Sequence, residues 1–261
     1  MLHSTCCAAD VLHPRYAEIA NMFHHPVTRH RKQWEWVYIV HHLIRMNAVG
    51  PGRRGLVFGV GSEPLPALFA SMGAQIVATD APVDVMLYAG FRSTGEHADG
   101  VTMLRHPEII DNGLFDSLVS FQQCDMNNID PNLRNFDFNW SSCCFEHLGS
   151  LEAGIEFVIN AVERTLKVGG IGVHTTEYNI SSDETTVESG PTVIYRKQDI
   201  ESLADRLRSR GHSVDPIVIA PHVHPLDFHV DVPPFSHDPH LKLVLSEYVC
   251  TSIGLVIRRG C

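Results

Sequence analysis

Gly59-Val60-Gly61-Ser62-Glu63-Pro64 sets two glycines in one turn. Glycine lets a backbone bend tightly and pass close to a ligand, and Ser62 is placed to cap a following helix. Asp80 lies 21 residues beyond Gly59, the separation at which an acid accepts hydrogen bonds from ribose hydroxyls. Asp125-Met126 sets an acid beside an apolar side chain, suited to the amino group and ring of an adenine. Cys143-Cys144-Phe145-Glu146-His147 and Glu177-Tyr178-Asn179 add carboxylates and an imidazole, groups that move protons near neutral pH. Residues 221–245 hold His222, His224, Asp227, His229, Asp231, His237 and His240. Imidazole and carboxylate together suit several divalent ions. The spacing matches no defined metal motif, however, and a solvated His-rich loop is the competing explanation.

Each of the first five groups falls just after an expected strand. Gly55–Gly59, Gln75–Thr79, Val119–Cys124, Phe136–Ser142 and Ile171–Thr175 read as strands, followed by Val214–Ala220 and Ser252–Arg258. Helices are expected over Pro64–Met72, near Pro107–Leu118, over Glu152–Lys167 and over Asp199–Arg210, several of them closed by glycine. Residues 81–118 are otherwise irregular. Strands alternating with amphipathic helices imply right-handed βαβ units and a mostly parallel α/β sheet covered on both faces. Ligands of such sheets sit outside the carboxyl ends of the strands, where these polar groups cluster. Upstream, Gln33–Met46 reads as a helix with Trp36, Val37, Val40, Leu43 and Ile44 on one broad face, and Gly50-Pro51-Gly52 punctuates its end. The expected division is a helical cap over 1–54 and a main domain over 55–261, with 221–245 a substrate-loop insert at the rim.

The chain has 261 residues, 44% apolar and 19% charged, with a formal net charge of −10. That balance argues against nucleic acid as a partner. The basic runs at Arg29, Arg31 and Lys32 and at Arg53 and Arg54 read as solvated helix ends. No apolar run approaches a membrane span, so no membrane partner is expected. Seven cysteines are an odd number and none form a CxxC pair, which fits free thiols and a cytoplasmic home.

The ordered set resembles the class I S-adenosylmethionine-dependent methyltransferases: a glycine loop, a ribose acid, an adenine-contacting acid, a catalytic fourth strand, then "LKVGG" before strand five. The resemblance spans about residues 55–259 and implies a Rossmann-like, doubly wound, seven-stranded sheet with an antiparallel last strand. More narrowly, "FGVGSEPLPALFASMGAQIVATD", "WSSCCFEHLGSLEAG" and "GGIGVHTTEYNISS" are similar to bacterial glycan and sugar O-methyltransferases of the mycobacterial methylmannoside type. This implies methylation of a sugar or oligosaccharide hydroxyl in polysaccharide biosynthesis, and leaves room for a homodimer. The cofactor-binding residues would be Gly59, Gly61, Glu63, Asp80, Asp125, Met126, Ser142 and Cys143; the catalytic ones His147, Glu146 and Glu177. An ion, Mg²⁺ by analogy, would draw on His147, Glu177, Asp227 and His229. Val57 stands where most of the class has an acid, and Glu63 where it has a third glycine. Glu63 could meet the cofactor's ammonium or simply favour a helix N-terminus. A small non-sugar hydroxyl or amine acceptor is the alternative. Pro64 weighs against a nicotinamide dehydrogenase, and the acid/base cluster against a nonenzymatic binding module.

Overall fold

A computed structural model describes residues 3–82 and 97–261, so part of the irregular 81–118 stretch lies outside the described residues. The strands are β1 (Arg54–Phe58), β2 (Gln75–Asp80), β3 (Val119–Gln123), β4 (Phe136–Ser142), β5 (Gly149–Ser150), β6 (Leu166–Asn179), β7 (Ser189–Gly190), β8 (Ser213–Val214), β9 (Leu243–Leu245) and β10 (Tyr248–Arg258). The main sheet runs β3-β2-β1-β4-β6-β10-β8, and β5 pairs with β7 in a separate ribbon. Pairs from β3 through β6 are parallel, whereas β10 is antiparallel to both its neighbours. This is the doubly wound order, with its switch point between β1 and β4. To the seven expected strands β9 adds an eighth. It returns into β10 through a two-residue hairpin loop in which Ser246 takes φ 55°.

Alternation along the strands divides the core into two layers. Leu56 and Phe58 face one side of the sheet with Phe157, Val158 and Leu203; Val57 faces the other with Trp140, Phe69 and Val40. The helices are α1 (Ala8–Val11), α2 (Pro14–Met22), α3 (Arg31–Arg45), α4 (Leu65–Ser71), α5 (Asn112–Leu118), α6 (Leu151–Asn160), α7 (Lys197–Ser209) and α8 (Pro225–Phe228). Helix α3 packs on β4, β6 and β10, and its Trp34, Val37 and Val40 share one core with the sheet. It starts two residues earlier than its periodicity predicts, because His30 caps it by accepting from the Lys32 N–H. Among the described residues, no helix is long and apolar enough to cross a membrane.

Two elements depart from their sequence patterns for identifiable reasons. The helix expected to reach Lys167 is α-helical only to Asn160 and then widens into a π turn over Ala161–Thr165. There the Ala161 carbonyl accepts from Asn139 Nδ2 and from Thr165 Oγ1, side chains that insert into the ladder. The strand expected over Val214–Ala220 is cut to Ser213–Val214. Beyond it, the edge of β10 is taken by the chain's own start: Cys6 N donates to Ser252 O and Gly254 N to Ser4 O. Val218 and Ala220 then bond to the Ser4 and Thr5 side chains instead of to β10.

Candidate active site

The turn after β1 has Gly59 at φ 61° and Gly61 at φ 54°, left-handed values that favour glycine. A Cβ on Gly59 would lie 2.9 Å from both Cβ and Sγ of Cys144, with Met126 Sδ at 3.9 Å. Gly59 thus lets the β4 turn tuck beneath the β1 turn and brings Met126 alongside. Asp80 ends β2 with its carboxylate accepting from the backbone N–H groups of Gly61, Ala81 and Ala98 at 2.8–3.0 Å. The expected ribose acid therefore also braces the glycine turn. Asp125 is half-buried and accepts from Asn127 N. Glu63 is buried and accepts from the Trp140 indole at 2.6 Å. Burial, against that hydrogen bond, pushes its carboxyl up to about 8.

At the end of β4, Cys143 takes φ 52° while its N–H donates to Thr175. A non-glycine residue held there stores about 1–3 kcal/mol of strain, a mark of functional turns. Burial pushes the Cys143 thiol well above its ordinary value, so it is a poor nucleophile.

Around it lies a polar cluster built from four elements. Helix α3 supplies Arg31, Lys32 and Glu35; the β4 end supplies Ser142 and Cys143; β6 supplies Thr176 and Glu177; β10 supplies Ser252. Arg31 Nη2 lies 2.5 Å from Glu177 Oε1, and Lys32 Nζ lies 3.2 Å from Glu35 Oε2. Ser142 and Ser252 each donate to Glu35, at 3.1 and 2.5 Å, so both its oxygens are engaged. Burial would raise the Glu35 carboxyl, but Lys32 and Arg31 outweigh it and hold the group below its ordinary value. For Glu177 the balance falls the other way. Burial, with Glu146 and Glu35 adding and Arg31 opposing, pushes it up to about 7. Its Oε2 is buried without a hydrogen-bond partner, an arrangement that leaves one basic oxygen for a ligand proton.

Glu146 is buried on the turn after β4 and accepts from Thr176 Oγ1 at 3.0 Å. His147 is part-exposed: Nδ1 faces the Pro191 carbonyl and Thr192 hydroxyl, and Nε2 lies 3.9 Å from Glu146 Oε1. Among the described residues, Glu177 is the one of the four expected to hold an ion that belongs to a ligand-spaced group, with Cys143 and Glu146, all within 4.8 Å of one another. The Asp227 carboxylate accepts instead from the N–H groups of Ala8, Val223 and His224, and His229 is exposed.

The His-rich stretch is not simply solvated. His240 is buried, bonded to Asp231 at 2.6 Å and stacked on His30 at 4.6 Å, while Arg31 N donates to its carbonyl. The loop is therefore fastened to the start of α3. Beside it, His25, Pro26, Thr28, His30, Lys32, Gln33 and Trp36 line an open cavity of about 290 Å³. Lys32 is common to the cavity and the cluster.

Arg31, Lys32, Glu35, Thr176 and Ser252 were not expected from sequence, and the reading of Arg31 and Lys32 as a solvated helix end is corrected by their ion pairs. One signal was present: Glu35 sits between Trp34 and Trp36, an acid inside an aromatic stretch, with bases three and four residues before it.

No family model matches the chain, and no curated protein matches it. Solved structures do. A candidate sarcosine dimethylglycine methyltransferase from Galdieria sulphuraria is similar at TM-score 0.50 and 13% identity, over 85% of this chain and 83% of that one. The magnesium protoporphyrin IX methyltransferase of Synechocystis PCC 6803, with bound SAH, gives 0.49 and 12% over 88% and 83%. A S-adenosylmethionine-dependent methyltransferase from Clostridium acetobutylicum gives 0.47 and 14% over 88% and 92%. At 13% identity the first of these likenesses, whose TM-score reaches 0.50, speaks to the fold alone: a Rossmann-like sheet.

Proposed function

We propose that the chain is an S-adenosylmethionine-dependent methyltransferase that methylates a hydroxyl. One observation carries this reading: on a sheet of this order, the Gly59 turn, Asp80, Met126 and Glu177 converge at the carboxyl ends of successive strands. The donor set fits the cofactor's chemistry, with carboxyls for an ammonium (Glu63), a ribose (Asp80) and an adenine amino group (Asp125). Met126, Ser142 and Cys143 would line the remainder. When bound, the cofactor supplies an electrophilic methyl group on a sulfonium. The protein's share is to align an acceptor oxygen and take its proton. Glu177 Oε2 suits that second task, Arg31 fixes the carboxylate by its other oxygen, and the Glu146–His147 pair flanks it.

For the acceptor we infer a sugar or small oligosaccharide of mannoside type. Trp36, His25 and His30 give the adjacent cavity an aromatic and almost wholly apolar lining, suited to stacking against the apolar face of a ring. The narrower motif similarity supports the same class. Three buried or nearly buried glutamates, Glu35, Glu146 and Glu177, against two bases favour an amine as the second reading. Arg31 and Lys32 already place two positive charges against the carboxylates, so transfer without Mg²⁺ is the proposal. The free cysteines fit a reducing, cytoplasmic setting.

Calorimetry is expected to show S-adenosylhomocysteine binding in preference to NAD; tight NAD binding with none of the former would sink the proposal. A mass-shift screen of mannosides, other sugars and amines decides between acceptors. Mg²⁺ added after chelation is expected to leave the rate unchanged, and restoration by Mg²⁺ alone would reverse that point.

A further inference from the structure

Beside Trp34 of α3, His3, Cys7 and Asp10 come together. Cys7 Sγ lies 3.4 Å from His3 Nδ1, and that same nitrogen lies 3.4 Å from Asp10 Oδ1; all three atoms fall within 4.8 Å of one another. Cys7 and Asp10 are buried and His3 is part-buried.

Hydrogen bonding accounts for one of these contacts at a time, or for both only as a weak N–H shared between Oδ1 and Sγ. A single imidazole nitrogen either carries a proton or offers a lone pair, so Nδ1 cannot donate to Asp10 and accept from the Cys7 thiol at once. A separation of 3.4 Å is also beyond the usual N–H···O range of about 2.7–3.2 Å. Nor is it a Cys–His–acid relay, which needs the two ring nitrogens to face different partners. Three unlike donor atoms within 4.8 Å of one another have the spacing a chelate needs. Around a tetrahedral ion with bonds of about 2.0–2.3 Å, ligand atoms sit about 3.3–3.7 Å apart, and both measured separations fall in that span.

We propose that His3, Cys7 and Asp10 form a binding site for a thiolate-preferring divalent cation of the Zn²⁺ class. The mixed sulfur, nitrogen and oxygen set suits Zn²⁺ and disfavours Mg²⁺ or Ca²⁺, which select oxygen. Asp10 is already oriented for this. Its other oxygen, Oδ2, accepts from Trp34 Nε1 at 3.1 Å, the kind of support that holds metal ligands in place. The site is placed to act as a staple. Ser4 and Thr5, between the ligands, pair with β10 and with Val218 and Ala220. Ala8 donates to Asp227 of the His-rich loop, and Trp34 belongs to the helix that carries Arg31 and Glu35. One ion would tie the chain's start, the loop and α3 together. This inference does not depend on the methyltransferase reading.

The test uses the full-length protein, stripped with chelator and titrated with Co²⁺ as a spectroscopic probe and with Zn²⁺. One equivalent of Co²⁺ is expected to give a thiolate-to-cobalt charge-transfer band and d–d bands of tetrahedral intensity. Zn²⁺ is expected to displace it and to raise the thermal midpoint. Cys7→Ser should abolish the charge-transfer band, and His3→Asn should weaken binding about tenfold or more. Cys143→Ser should leave the spectrum intact. A band that survives Cys7→Ser, or disappears with Cys143→Ser, overturns the assignment, as does the absence of any thiolate band at stoichiometric Co²⁺. Circular dichroism of each variant confirms that a lost signal is not a lost fold.

Discussion

Two buried carboxyls, Glu177 and Glu63, are both raised toward neutrality, and their surroundings set them different tasks. Glu177 spends Oε1 on Arg31 and keeps Oε2 unpartnered, so the proposed base has one oxygen in hand near pH 7. Glu177→Gln is expected to slow transfer by roughly 10²–10⁴-fold, the usual worth of a positioned base. Wild-type rate should rise with pH through about 7, where Glu177 ionises, and the variant should lose that limb; a variant with the same profile removes Glu177 from the role. The stability sign is the opposite one. An acid raised in the folded state contributes stability below its unfolded value, and loses that contribution as pH rises through about 7. Urea midpoints should therefore fall across that window in wild type and less in Glu177→Gln. Glu63, raised to about 8, is protonated at pH 7, and an ammonium arriving beside it would favour ionisation. Cofactor binding at pH 7 is expected to release a proton, read by calorimetry in buffers of different ionisation enthalpy. Equal release in Glu63→Gln would return Glu63 to its other reading, a residue that only supports the helix start.

At the scale of elements, α3 matters more than its sequence suggests. A 3.6-residue apolar period over residues 33–46 reads as a helix with one buried face, yet the helix is buried on most sides, with Gln33 and Glu35 as well as Trp34 and Tyr38 inside. Periodicity reports that a face is covered; it does not report that a second, polar face is covered by strand ends and serine hydroxyls. Strand positions were more legible, because β1 and β2 are short, largely apolar runs closed by glycine or an acid, and β4 alternates apolar and polar residues. The strand expected over Val214–Ala220 was not, since its shortening depends on residues 4–6, more than 200 positions away, taking the hydrogen-bonding edge of β10. The seat of α3 on that strand is close: a Cβ at Gly254 would fall on the ring of Tyr38. Gly254→Ala is expected to destabilise by about 1–3 kcal/mol through overpacking and to weaken catalysis by shifting Arg31 and Glu35. Tyr38→Leu should relieve part of the loss, so that the double variant is more stable than the sum of the two singles. Strict additivity in urea midpoints would mean that the two groups do not press on each other.

At the scale of the molecule, the Gly50-Pro51-Gly52 punctuation reads as a border between a cap and a main domain, while the packing crosses it freely. Trp34, Val37 and Val40 lie in the same buried cluster as Val57, Trp140, Val173 and Val256, and the candidate active-site cluster draws on residues from 31 to 252. Local sequence punctuation marks where a chain turns; cooperativity is set by how much apolar surface is shared across the turn. Residues 3–50 and the sheet are therefore expected to unfold together. The three tryptophans make this measurable, two on α3 and one on β4. In Trp140→Phe the fluorescence reports α3, and in Trp34→Phe/Trp36→Phe it reports the sheet. Within each variant the fluorescence midpoint in urea should coincide with that of far-ultraviolet circular dichroism. An α3 signal lost at clearly lower urea would show the N-terminal helices detaching first. The catalytic cluster would then be assembled by docking of a separate cap, and Arg31 and Glu35 would be groups that arrive with it.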